Sequence, residues 1–168
     1  LVDSEAPGCN RLSREIRLIE GLDRVDLINR VDKKAVRAKE GLHFGFGFAV
    51  PEAEVRLDVG WAVIRPNKDQ LPGSCRNWFS VQRFVDVSNA KYGITWAPVD
   101  APLVEIGAMT GTLSGSGPNS ADYLYMDPKY WMDRSLESPP IYSFALNNHW
   151  GTNYCAEQQG LVSFRYSI

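Results

Sequence analysis

Between Arg24 and Asp32 (RVDLINRVD) apolar and polar residues alternate almost one by one. Val25, Leu27 and Val31 fall on one face, and Asp26, Arg30 and Asp32 fall on the other. A period of two belongs to a strand with one face buried and the other in water. The run before it, Arg14 to Glu20 (REIRLIE), mixes charges with Ile16, Leu18 and Ile19, and Gly21-Leu22-Asp23 offers a turn. The two runs therefore read as a β-hairpin. In LHFGFGFA, Leu42 to Ala49, Phe44, Phe46 and Phe48 share a face opposite His43, Gly45 and Gly47. Glycines at those positions let another group approach the second face closely.

The same grammar continues along the chain. Glu54 to Val59, Trp61 to Arg65, Phe79 to Val87, Gly93 to Ala97, Leu103 to Met109, Ile141 to Leu146 and Leu161 to Ile168 all read as strands. Pro66, Pro72 with Gly73, Asn89, Pro98 and Pro102 punctuate them. Lys33 to Glu40 (KKAVRAKE) has helix-favouring residues but little to bury, and reads as a bend or one solvated turn. Residues 111–122 have the composition of an exposed flexible loop, and residues 122–136 fit a short helix or an aromatic-rich loop equally. No segment carries helical periodicity beyond about two turns. A single all-β domain over residues 1–168 is expected, built as a large β-sandwich.

Composition narrows the function. Charged residues make up 23% of the 168 and the net charge is −2, with the signs interspersed. No basic block is present, so no nucleic-acid partner is expected. Apolar runs are far too short to span a bilayer, so a soluble chain with no membrane contact is expected, in no assigned compartment. The chain opens at Leu1 without an initiator Met and closes at Ile168 inside a strand-like run. Both ends are therefore expected to be cut from a longer polypeptide. The three cysteines, Cys9, Cys75 and Cys155, are widely spaced and odd in number, which points to free thiols.

The motifs of self-contained catalysis are missing. His43 and His149 are isolated, with no HxH, HxD or HExxH, so no metal site is expected. There is no GxSxG elbow and no GxxxxGK[ST] loop, and Gly45-Phe46-Gly47 lacks the third glycine of a dinucleotide loop. Asp58, Asp86 and Asp100 lie in or beside strands, but nothing selects a glycosidase pair among 20 acids. Sugar-binding chemistry is better represented. Aromatic rings with amides and guanidinium groups can receive the apolar faces and the hydroxyls of a saccharide. Two stretches hold that mixture: Arg76 to Arg83 (RNWFSVQR), with Trp78, Gln82 and Arg83, and Asn147 to Tyr154 (NNHWGTNY), with Asn147, Asn148, His149, Trp150 and Asn153. Turn-capping amides and core tryptophans would have the same composition, so both readings stand.

Several phrases resemble the C-terminal β-domain of family 38 glycoside hydrolases, the α-mannosidase type. They are AEVRLDVGWAVIRP, DQLPGSCRNWFSVQRFVDVSN, KYGITWAPVDAPLVEIG and YSFALNNHWGTNY, with the earlier APGCNRLSREIRLIEGLDRVDLINRVDKKAVR and the closing GLVSFRYSI. The likeness covers nearly the whole chain and is weakest at residues 111–136. QRFVDVSN followed by YGITW, from Gln82 to Trp96, is its most specific part.

The resemblance implies a galactose-mutarotase-like supersandwich, here a partial one. It implies a parent enzyme that hydrolyses α-mannosides with retention, helped by zinc. The nucleophile and zinc ligands of such enzymes belong mainly to an N-terminal α/β barrel whose His–Asp motif has no counterpart here. No catalytic residue is therefore assigned, and zinc is expected in the parent's catalytic domain rather than in this segment. The expected role is a non-catalytic β-domain that packs on its own N-terminal catalytic domain and helps wall the α-mannoside cleft. Self-association through the exposed domain interface is also expected. Two alternatives are a stand-alone carbohydrate-binding β-sandwich and a mutarotase-like epimerase, which needs a histidine and an acid facing one sugar.

Overall fold

The computed structural model describes residues 1–109, 140–148, 155 and 157–168. Among these residues the regular elements are all strands: β1 (Val2–Ser4), β2 (Cys9–Leu18), β3 (Val25–Lys33), β4 (Gly41–Phe46), β5 (Glu54–Val59), β6 (Ala62–Ile64), β7 (Phe79–Ser80), β8 (Val85–Ser88), β9 (Gly93–Pro98), β10 (Leu103–Ile106), β11 (Ile141–Asn147) and β12 (Gly160–Ser167). They form an eight-stranded sheet, β1-β2-β3-β12-β9-β8-β5-β6, and a four-stranded sheet, β4-β11-β10-β7, with every neighbouring pair antiparallel. The two sheets pack face to face as a sandwich. No helix among the described residues is long and apolar enough to cross a membrane.

The expected hairpin is present. β2 pairs with β3 from Cys9↔Lys33 to Leu18↔Val25, with a bulge near Asn10. Val31 is fully buried and its cross-strand neighbours Leu12 and Val162 pack on the core. The opposite face carries charge. Glu15 holds Arg30 at 2.7 Å and Arg17 at 2.5 Å, and these guanidinium groups, Arg17 first, draw its carboxyl down to about 2. Residues 34–40 form no strand, as their composition predicts.

The run from Phe79 to Val87 departs from the expected single strand. Phe79 and Ser80 belong to the small sheet as β7, whereas Val85 to Ser88 belong to the large sheet as β8. The chain turns a corner between them. The Val81 N–H donates to Pro102 O at 2.9 Å, and the Gln82 N–H donates to Asp58 O at 2.8 Å in the other sheet. Phe79, Val81, Val85 and Val87 are all buried. A strand that switches sheets keeps its inward residues inward on either side of the bend, and the two-residue period is interrupted only at the corner, where Arg83 takes the inward phase but is exposed.

The large sheet has a narrow joint. β12 pairs with β3 along its whole length, but with β9 only at Tyr166↔Pro98 and Ser167↔Ala97. Asp100 reinforces this seam. Its carboxylate accepts from the Arg165 backbone N–H at 2.8 Å and from the guanidinium at 2.9 and 2.7 Å, while the Val99 N–H donates to Arg165 O at 3.0 Å. Hydrogen bonding to Arg165 holds the Asp100 carboxyl below the usual carboxylate range. A depressed acid stabilises the fold above its unfolded value near pH ~4, and that contribution disappears as pH falls through the lower folded value. Asp100→Ala is expected to cost about 1–2 kcal/mol and to lower the melting temperature at pH 7 by about 2–8 °C. The difference from the parent chain should shrink in melts recorded at progressively lower pH.

Candidate functional site

β4 sets one face of the small sheet toward the core and the other away from it. Phe44 and Phe46 approach Tyr166 of the large sheet at 6.0 and 4.8 Å between ring centres. On the opposite face His43 stacks on Phe144 at 4.2 Å, and a side chain on Gly45 would begin 3.2 Å from the Tyr142 ring. This is the close approach expected at Gly45, whereas Gly47 has open space beside it. His43 Nε2 also lies 2.8 Å from Glu105 Oε2, at an angle that is not that of a hydrogen bond, and Glu105 is fully buried. A histidine and an acid therefore meet here, touching each other. The contact ties β4 to β10.

The end of β11 carries Asn147 and Asn148, and the Asn148 amide is committed to backbone. Its Oδ1 accepts from the Glu40 N–H at 2.7 Å, and its Nδ2 donates to Val36 O at 3.0 Å and Ala38 O at 2.7 Å. The segment 34–40 has few apolar groups to bury, so polar bonds must fix it. Arg37 bonds Glu157 at 3.0 and 3.2 Å, and the Lys34 N–H donates to Gly8 O at 2.9 Å. The buried Lys33 ammonium meets Glu40 at 2.5 Å and Lys34 O at 2.9 Å.

Beneath this strap lies a cavity of about 410 Å³, walled by Cys9, Lys33, Glu40, Asn147, Asn148 and Cys155 among others. Its volume suits a small ligand, and its lining mixes apolar surface with amide, ammonium and carboxylate groups. Burial pushes the Cys9 thiol up, although nearby Lys33 pulls the other way, so this thiol is a poor nucleophile. All three cysteines are free. Among the described residues no three metal-ligating side chains converge.

The two stretches singled out in the sequence are only partly brought together. His149, Trp150 and Asn153 lie outside the described residues. Trp78 is half-buried beside fully covered Asn77 and Phe79, whereas Gln82 and Arg83 are exposed at the corner between the sheets. None of Trp78, Gln82 and Arg83 lines the cavity that holds Asn147 and Asn148. Asp86 and Asp100 serve as ion-pair partners, of Arg56 and Arg165 respectively. Sequence reading gave no notice to Trp61, taken there as the start of a strand. It sits instead in the two-residue turn between β5 and β6, and the signal was Gly60 directly before it.

The chain matches no family model and no curated protein. Asn148→Ala is expected to remove three hydrogen bonds and to destabilise the domain by about 2–3 kcal/mol. Amide hydrogen exchange should then accelerate at Glu40, whose N–H the Asn148 carbonyl protects.

Proposed function

We propose that this chain is a non-catalytic β-domain of an α-mannosidase-type glycoside hydrolase, docked on the catalytic domain of that enzyme. The sequence resemblance supplies the family, and one structural observation carries the docking role. The large sheet overhangs the small one. In the register of β1, β2 and β3, Val2, Ile16 and Leu18 fall on the same face as core residue Val31. That face should be covered, yet Val2 is 60%, Ile16 67% and Leu18 77% exposed. Ile19 and Leu22, in the turn that follows, are exposed as well.

An apolar sheet face left bare beside a packed core is costly in water and marks an interface. The occupant proposed is the catalytic domain, because the family that the sequence resembles packs this β-domain on one. A partial mutarotase-like supersandwich, with strands or a partner missing over the overhang, has this shape. A stand-alone sugar-binding module would instead cover its own inner face, which makes that reading the weaker one. The cavity under the 34–40 strap, with Asn147 at its wall, is the part of the domain best suited to border a sugar cleft.

Two measurements test the proposal. Hydrolysis of an aryl α-mannoside by the 168-residue chain with added zinc is expected to be absent, and turnover by this chain alone would overturn the non-catalytic reading. The bare face should also make the isolated chain self-associate with rising concentration. Ile16→Glu with Leu18→Glu should keep it monomeric in sedimentation velocity at an unchanged melting temperature. A parent chain that stays monomeric at all concentrations, or a double variant that unfolds, would count against an uncovered docking face.

A further inference from the structure

Val59 and Ala62 are partners in the β5–β6 hairpin, so Gly60 and Trp61 form the whole of its turn. Trp61 adopts φ +68°, and its side chain is fully exposed. A left-handed conformation strains any residue with a Cβ, and a bulky aromatic there is a genuine outlier. Turn positions with positive φ ordinarily go to Gly, Asn or Asp, and here the glycine stands one place too early. Burial brings no compensation, because the indole is in water. Both the backbone strain and the bare ring work against the fold, which is the situation of a residue kept for what it contacts.

The surroundings of this tip are polar. Gln82 Nε2 lies 4.0 Å from the point where a side chain on Gly60 would begin, and the Gln82 N–H anchors that residue to Asp58 O of β5 at 2.8 Å. Arg83 follows, also exposed. The bare sheet face over β1 and β2 carries Val2, Ile16 and Leu18 around Arg14, a broad mixed patch suited to a protein surface. Trp61 is a single flat ring beside a turn that the Gln82 amide approaches, far smaller than the roughly 800 Å² a protein partner covers. One indole matches one sugar ring in size.

We propose that Trp61 is a carbohydrate platform, its indole receiving the apolar C–H face of a pyranose while the Gln82 amide hydrogen-bonds the ring hydroxyls. The choice of an α-mannoside as the sugar rests on the function proposed above, whereas the contact itself rests on the hairpin tip.

The test uses the 168-residue chain labelled with 15N, titrated with methyl α-mannoside and with α-linked mannobiose. The indole N–H resonance missing from Trp61→Gly identifies Trp61. That resonance is expected to move saturably. Trp61→Gly should bind at least about tenfold more weakly yet melt about 2–6 °C higher as the strain is released. Gln82→Ala should weaken binding with the melting temperature unchanged. A Trp61 resonance unmoved at about 100 mM of either sugar, a regime of negligible affinity, overturns the proposal. So does a Trp61→Gly chain that melts lower, since the ring would then be structural. Hydrolysis by the isolated chain would overturn the non-catalytic reading without touching this titration, and a still Trp61 resonance would leave the docking face standing.

Discussion

Tyr166 is where the two sheets are fastened to each other. It sits on β12, near the middle of the large sheet, and its ring stacks on Trp96 of the same sheet at 5.4 Å. Phe44 and Phe46 of the small sheet close on it from the other side, and its hydroxyl donates to Ser143 Oγ at 2.9 Å. An aromatic residue with a polar tip can bury a large apolar surface and still satisfy its hydroxyl. Burial pushes that hydroxyl up to about 12, so it remains a neutral donor across the physiological range. Everything placed by β4 and β11, including the cavity at Asn147 and Asn148, inherits its position from this contact.

The sandwich is unequal, and its inequality organises the proposed function. Among the described residues, four strands face eight. On β5, next to the β6 edge, the inner face is covered, with Leu57 and Val55 buried, while at the β1 end it lies bare. The joint between β12 and β9 separates these two halves, and the Asp100–Arg165 contact bridges it. A partner seated on Ile16 and Leu18 would therefore cover one half of a sheet that is thinly stitched to the other. Trp61 lies at the far end, on the hairpin of the last two strands. The proposed docking face and the proposed sugar platform are thus at opposite edges of the large sheet, and each can be tested without disturbing the other.

Much of the architecture was legible in the sequence, because the two-residue period survives wherever one face is buried. The β2–β3 hairpin, the β4 glycines and the unstructured strap after Lys33 all followed from residue order. Phe79 to Val87 shows where that signal stops. Its buried residues Phe79, Val81, Val85 and Val87 share one phase, and the single charged residue in that phase, Arg83, is too little for periodicity to place the corner. Asn148 was read as a sugar ligand or a turn cap, and both fit its chemistry. Which backbone groups lie within reach of its amide depends on a strap more than a hundred residues away in sequence. Trp61 escaped notice because aromatic residues are ordinary in strands, and only the φ of the folded turn sets it apart.

The sequence by itself determined a β-rich chain with one buried and one wetted face per strand, no motif for metal, phosphate or serine chemistry, and residue types suited to sugars. Local alternation and composition are enough for that, since each depends only on neighbours along the chain. Tertiary structure alone decided how many strands each sheet holds, and so which inner-face residues were left without cover. It also decided that His43 would meet Glu105, that Asn148 would bind backbone, and that Trp61 would stand in water. These outcomes depend on which distant segments come together, and long-range pairing is not written in the order of nearest neighbours.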